Sequence, residues 1–347
     1  MEPVSGRDGC VSCFLSIFPQ SQMSLSESTQ HQYDALLQTK GLADFSSRTQ
    51  LEIMGNDRAA FLNNFCTNDI SSRKNGEGCE AFFTDVKGKV LAYASLFCTD
   101  NAIHVETVPD QAEMLIGHLD RYLIREDVEL ADRSNQWGQL IVSGKEVSSL
   151  LESLCGLKPP AVLWSHCTAE LAGRTVFLRK VDYLGPTTWL VGCTCQEDVP
   201  VLIGTLTDAG AVACDREAIE MARIEAGTPY YGCDISDGHL PQEVDRNERA
   251  ISFTKGCYLG QETVARLDAL GRVNRALRAV QFDQSSVPPS GTTLHVEDRV
   301  VGEVTSAIFS SRSNSPLAMA YVRREYFEMG TKLASEFGSA TIVEFPG

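Results

Sequence analysis

The sequence predicts an α+β protein whose C-terminal part is a separate, small all-β domain. Three observations carry this. Up to Arg266, segments with strand alternation interleave with amphipathic helical segments. Beyond it come short β-like segments parted by polar turns, the pattern of a small barrel or sandwich. The chain, at 347 residues, is long enough for two or three domains with substantial cores. The boundary falls between Arg266 and Val280. The expected units are a flexible tail at 1–30, an α+β body at 31–268 and a β domain at 269–347.

Leu51-Glu52-Ile53-Met54 alternates like a strand, and Gly55-Asn56-Asp57 supplies a turn and a helix cap. Arg58 to Cys66 places Phe61/Phe65 and Leu62/Cys66 at i,i+4, as on one helix face. Ala81 to Thr84 and Val90 to Phe97 read as a hairpin across Asp85-Val86-Lys87-Gly88-Lys89, and Ile103 to Val108 as another strand. Asp110-Gln111-Ala112-Glu113 resembles a capping box opening a helix that buries Met114, Leu115, Leu119, Tyr122 and Leu123. Gln139 to Val142, Thr175 to Val181 and Thr188 to Gly192 are expected strands. Helices are expected over Asp198–Asp208, with Pro200 in the first turn, over Ala218–Ala226 and over Gln261–Leu267. Gly291 to Ser306 reads as strand, Glu297-Asp298 turn, strand, and Thr341 to Glu344 as a last strand.

Composition narrows the function classes. Hydrophobic content of 43% and charged content of 22% describe a soluble globular chain. A formal charge of -16 argues against a nucleic-acid surface. The apolar patch Cys13–Phe18 is far shorter than the ~20 residues of a membrane span. Twelve scattered cysteines read as free thiols in a reducing compartment, and Cys10-x-x-Cys13 and Cys193-x-Cys195 lack a second pair at zinc spacing. The expectation is a cytoplasmic protein, mitochondrial only if the source is a eukaryote, monomeric, with no nucleic-acid or membrane partner and no metal. Nucleotide-binding glycine loops, G-x-S-x-G and H-E-x-x-H do not occur. The six histidines show no paired spacing.

Three stretches hold candidate chemistry. Lys255-Gly256-Cys257-Tyr258-Leu259-Gly260-Gln261-Glu262 sets a cysteine beside a lysine just ahead of a helix, where a thiolate gains from both charges. The alternative is a glycine-punctuated turn. Arg223 to Ile235, with Pro241-Gln242-Glu243, joins an acidic helix end to Tyr230 and Tyr231. A buried Glu225 or Glu243 can accept two hydrogen bonds from an aminopyrimidine edge, and a tyrosine can pack on a flat ring, which suits a pterin. The alternative is surface pairing of Glu225 and Glu243 with Arg223 and Arg246. Arg266, Arg272, Arg275 and Arg278 would bind a carboxylate tail or an acidic partner, or form a solvated face.

Lys255 to Glu262 resembles the K-G-C-Y-x-G-Q-E signature of the YgfZ-type folate-binding proteins, relatives of the glycine-cleavage T-protein (aminomethyltransferase). Phe83 to Lys89 looks like their early hairpin, and Arg223 to Ile235 like the R-x-E-A-G…Y-G-x-D-I run shared with T-protein. Val301 to Ser306 and Ala318 to Arg324 look like the C-terminal barrel. The resemblance spans roughly 31–345. It implies a three-lobed T-protein-like α+β body around a folate-sized opening, a C-terminal β-barrel, and tetrahydrofolate or a C1-substituted folate as cofactor. It also implies support of iron–sulfur protein assembly or repair, with iron–sulfur proteins or their assembly machinery as partners. By position, Cys257 would be the functional thiol with Lys255 beside it, and Glu225, Tyr231 and Glu243 would contact folate.

One departure separates the branches. T-proteins carry an aspartate pair in the second strand of the early hairpin; here Ala92 and Tyr93 stand there, and T-proteins have Asp where Cys257 stands. Neither Ala92 nor Tyr93 supplies the carboxylate that aminomethyl transfer needs. The competing readings are a folate-binding iron–sulfur factor using Cys257, a folate-dependent aminomethyl or C1 transferase, and a binding module that delivers a partner.

Overall fold

The computed structural model describes residues 26–269, 271 and 273–347; Cys10, Cys13 and Arg272 lie outside them. In chain order the first elements are α1 (Glu27–Gln38), β1 (Gly41–Asp44), β2 (Thr49–Met54), α2 (Arg58–Asn63), β3 (Gly78–Thr84), β4 (Val90–Cys98), β5 (Ala102–Thr107), α3 (Ala112–Asp120) and β6 (Glu129–Asp132). Next come β7 (Gly138–Ser143), α4 (Val147–Cys155), β8 (His166–Leu171), β9 (Arg174–Val181), β10 (Thr188–Cys193), α5 (Val199–Asp208), β11 (Val212–Ala213) and α6 (Arg216–Glu225). The 3-10 turn Pro241–Val244, α7 (Asn247–Ala250) and α8 (Gln261–Ala269) lead into β12 (Arg275–Phe282), β13 (Thr293–Val296), β14 (Arg299–Ser310), β15 (Ser315–Arg323), β16 (Lys332–Ser335) and β17 (Gly338–Val343).

A five-stranded antiparallel sheet, β3-β4-β5-β2-β6, buries Leu51, Ile53, Leu96 and Val105 against α2 and α3 through Phe61, Leu62, Leu115 and Leu119. A six-stranded sheet, β11-β1-β7-β10-β9-β8, is covered on both faces. Alternate residues part cleanly: Leu42, Leu140, Val142 and Val191 meet α4 and α5, while Ala43, Ile141 and Leu190 meet α1 and α6. Strands buried on both faces lose polar alternation, so Leu140 to Val142 of β7 and Trp189 to Val191 of β10 are unbroken apolar runs.

The β domain closes as the barrel β12-β15-β14-β13-β16-β17, with β17 pairing back onto β12. Closure removes the exposed edges that open sheets would leave; of the barrel and sandwich that periodicity allowed, it is the barrel that the resemblance implies. Helix α6 packs between the six-stranded sheet and this barrel: Ile219, Met221, Ala222 and Ile224 share one core with Leu277, Ala279, Met319 and Tyr321. Each large apolar side chain buried there contributes roughly 1.5–3 kcal/mol.

Local departures have physical causes. Helix α1 starts at Glu27, with Ser26 Oγ accepting from Thr29 N at 3.0 Å, so 27–30 are helical and not tail. Asp110 takes a left-handed φ of 63 and cannot cap α3; the Gln111 N–H is instead satisfied by Thr49 Oγ1 at 3.0 Å. Helix α2 stops at Asn63, although Phe61 and Phe65 still pack with ring centroids 4.8 Å apart. Arg275 and Arg278 form neither a ligand cluster nor a free face: Arg275 Nε donates to Glu243 Oε1 at 3.0 Å and Arg278 Nη1 to Asp245 Oδ2 at 2.5 Å, joining barrel to body. Arg266 is exposed on α8. No helix among the described residues is long and apolar enough to cross a membrane.

Candidate functional site

A narrow cleft opens where the two sheets and α6 converge. The β1–β2 connection supplies Phe45 and Arg48; β4 supplies Tyr93 to Ser95; β5 and its end supply Glu106 and Val108. Tyr183 comes from the β9–β10 connection, Glu220 and Arg223 from α6, and Thr228 to Tyr231 from the following loop.

Two charged units hold this cleft in shape. Arg48 Nε is bonded to Glu106, and its guanidinium lies 5.6, 5.5 and 5.8 Å from the ring centroids of Phe45, Tyr183 and Tyr230. Burial works against the Arg48 charge, but Glu106 with Tyr183 and Tyr230 together outweigh it and hold the group above its ordinary pKa. Tyr183 donates to Glu106 at 2.7 Å, so Ser95 donates in turn to the Tyr183 oxygen. Arg223 forms the second unit, donating to Glu220 at 2.6 and 3.0 Å and to Asp234 at 2.8 Å. It reaches Thr228 O at 2.8 Å and so fixes the aromatic loop. Thr228 Oγ1 is buried without a protein hydrogen-bond partner.

Tyr93 is a third fixed position in the cleft wall. Its hydroxyl donates to buried Glu80 and accepts from Arg246 Nε at 3.1 Å. Burial, with Glu80 nearby, pushes its pKa well above the ordinary phenol value, so it stays protonated. Glu80 itself is held by Arg246 at 3.3 Å and Arg249 at 2.9 Å. The carboxylates bordering or backing the cleft are therefore all engaged by arginine.

The expected site residues separate. Tyr231 lines the cleft. Glu225 does not: it is 1% exposed, accepts from Ser310 Oγ at 2.5 Å and from Tyr33, and pairs with Arg312 Nε at 3.2 Å. Five residues beyond Glu220 on α6, it points to α1 and the barrel. Glu243 is also outside the lining, with one oxygen capping Leu240 N at 3.0 Å and the other on Arg275. Neither pairs with Arg223 or Arg246, so the surface alternative is corrected too.

Cys257 is exposed on the turn before α8, as the motif suggests. Lys255 corrects an expectation. Its ammonium turns inward and donates to the carbonyls of Asn63, Cys66 and Asn68 at 2.6, 2.8 and 2.7 Å. Burial lowers its pKa, and the groups counteracting this are Cys66, Asp69 and Cys79. Next to the thiol, Tyr258 is buried in a cluster with Phe82, Val90 and Ile251, against which Tyr93 and Tyr231 pack. The thiol turn and the cleft thus share a wall. Gly260 makes this possible: at φ +81, its Cα sits where a Cβ would come within 2.4 Å of Asp85 O in the β3–β4 hairpin.

Comparison with known proteins fits this architecture. The GCVT N-terminal domain matches residues 15–255, and the glycine cleavage T-protein C-terminal barrel domain matches residues 275–346. The chain belongs to the glycine-cleavage T-protein family. An aminomethyltransferase of Staphylococcus haemolyticus is 23% identical over 311 residues, covering 88% of this chain and 85% of that protein. One of Staphylococcus carnosus is 23% identical over 314 residues, with the same coverage of 88% and 85%. Among solved structures, the glycine cleavage system aminomethyltransferase T from Bartonella henselae superposes with a TM-score of 0.82 at 17% identity, covering 92% of this chain and 89% of that one. The T-protein fold is shared even though most side chains differ.

Sequence reading missed Arg48, Glu106, Tyr183 and Glu220 as members of this T-protein-type cleft. For Glu106 a signal existed: an acid within β5, a strand whose six residues are all buried. Arg48 sits in a polar connection between strands and carries no such mark.

Proposed function

We propose that this protein binds tetrahydrofolate, or a C1-substituted folate, in the central cleft and supports assembly or repair of iron–sulfur proteins through Cys257. Family membership supports the folate half, since folate-binding aminomethyltransferases make up this family. The cleft's own residues fit a pterin: Tyr183, Tyr230 and Tyr231 offer aromatic walls, and Thr228 Oγ1 is a buried hydroxyl without a protein partner. When bound, tetrahydrofolate supplies a carrier for one-carbon units. The residues that would hold it are Thr228, Tyr230 and Tyr231 on the α6 side and Tyr183 opposite. Glu225 and Glu243 would act by holding α6 and the barrel.

The observation that carries the choice against aminomethyl transfer is the Tyr93 phenol, kept protonated by burial beside Glu80. A transferase needs a carboxylate there to meet the positive charge that develops on the amine carrier. With Ala92 and Tyr93 in its place, the nucleophile offered is the exposed Cys257 thiol; Cys233, also exposed in the aromatic loop, has its pKa pushed up to about 12 by burial. Two measurements test the reading. Calorimetry should detect tetrahydrofolate binding that weakens in Thr228→Val and Tyr231→Ala. In cells lacking the native protein, Cys257→Ser should fail to restore iron–sulfur enzyme activity. Turnover of a lipoyl-bound aminomethyl group, or full restoration by Cys257→Ser, would overturn it.

A further inference from the structure

We propose that Lys255 is a positioning residue: its ammonium fills a three-carbonyl socket at the end of α2 and so fixes the turn that displays Cys257. The proposal rests on the reading of Cys257 as the functional thiol, but its test does not use that activity. An ammonium has three protons, and all three are placed, on Asn63 O, Cys66 O and Asn68 O at 2.6–2.8 Å. The acceptors belong to one six-residue segment, 63–68, so the side chain clamps onto a single rigid bend. Backbone bonds close the clamp on either side: Ser252 N donates to Thr67 O at 2.9 Å and Leu259 N to Asn64 O at 2.8 Å. Between these ties the Lys255 ammonium also lies 5.2 Å from the ring centroid of Tyr258, the buried neighbour of the thiol.

Chemistry explains why a lysine is used. A compact tetrahedral ammonium matches three convergent carbonyl oxygens, whereas a planar guanidinium does not. The same geometry turns the ammonium toward the 63–68 bend. The groups acting on the ammonium are Cys66, Asp69 and Cys79, and its protons are used up on carbonyls. A residue two places from a cysteine in sequence therefore serves it through the backbone and not through its field.

The test follows the Cys257 peptide by mass spectrometry. Iodoacetamide alkylation is measured from pH 6 to 10 and amide exchange over 252–260 and 63–68, in the native protein, Lys255→Ala and Lys255→Arg. Loss of the clamp should speed exchange in both segments at least about tenfold in Lys255→Ala, while the pH midpoint of alkylation stays in place. Ethylammonium, which can refill the socket, should restore slow exchange; tetraethylammonium, with no N–H to donate, should not. Lys255→Arg should remain fast. If Lys255→Ala loses its global fold, Lys255→Met, which keeps the aliphatic stem, is read in the same way. An upward shift of the alkylation midpoint by about one unit or more with exchange unchanged would show direct thiolate stabilisation and overturn the proposal. Unchanged exchange with an unchanged midpoint would overturn it as well. Failure of Cys257→Ser to matter in cells would instead sink the functional reading and leave the socket standing.

Discussion

Replacing Asp234 with alanine will weaken the junction between body and barrel by about 3 kcal/mol, at the lower end of the ~3–5 kcal/mol cost of breaking a buried ion pair. Asp234 is 0% exposed and accepts four hydrogen bonds: from Arg223 Nη1 at 2.8 Å, Tyr230 N at 2.9 Å, Thr305 Oγ1 at 2.5 Å and Ser306 Oγ at 2.6 Å. Two partners belong to the body and two to β14 of the barrel. Alanine removes all four and leaves Arg223 buried, though still paired with Glu220, which is why the lower end is expected. Urea denaturation followed by fluorescence should show the midpoint falling by about 1 M, taking a slope of about 3 kcal/mol/M. Ligand binding should weaken in parallel, because Tyr230 and Thr228 lose the anchor that holds their loop. A stability loss below about 1 kcal/mol would refute the reasoning, since it would mean that water replaces Asp234 at no cost.

Other expectations follow from the same kind of accounting. Glu225→Gln should lower stability by about 1.5–3 kcal/mol through weaker bonds to Ser310 and Tyr33, yet leave folate affinity within about twofold, as calorimetry would read. Gly260→Ala should displace the Cys257 turn, because the new Cβ meets Asp85 O at 2.4 Å and φ is +81; faster proteolysis between 252 and 262 is the readout. His104 is pushed down to about 2 by burial and by Arg179 beside it, so the folded protein refuses a proton that the unfolded chain accepts near pH 6.5. Stability should then fall as pH drops from about 6.5, by at most about 1.4 kcal/mol per unit from this group. His104→Gln should flatten that slope between pH 6.5 and 5 in denaturation series.

Periodic, local signals were legible. The alternation of β2, the hairpin of β3 and β4, and α8 behind Cys257 all stand where the residues place them, because each is stabilised mainly by neighbours in sequence or by one buried face. Helix α4 was legible but passed over: Val147, Leu150 and Leu151 follow helical spacing and Gly156 ends it in a left-handed conformation. The Asp110 capping box failed for a reason no local pattern carries. Thr49, sixty-two residues earlier, satisfies the Gln111 N–H and leaves Asp110 free to adopt another backbone region.

The sequence by itself determined the α+β body, the all-β C-terminal domain, the absence of a carboxylate at Ala92 and Tyr93, and a cysteine turn ahead of a helix. These depend on composition, periodicity and residue identity. Only the tertiary structure decided that Arg48, Glu106 and Glu220 shape the cleft. It also decided that Glu225 faces the barrel and that Lys255 reaches back to Asn63, Cys66 and Asn68. A hydrogen bond between residues some 190 positions apart leaves no periodic trace. Its partners are brought together by the packing of whole elements, and adjacency in the chain does not say which way a side chain turns.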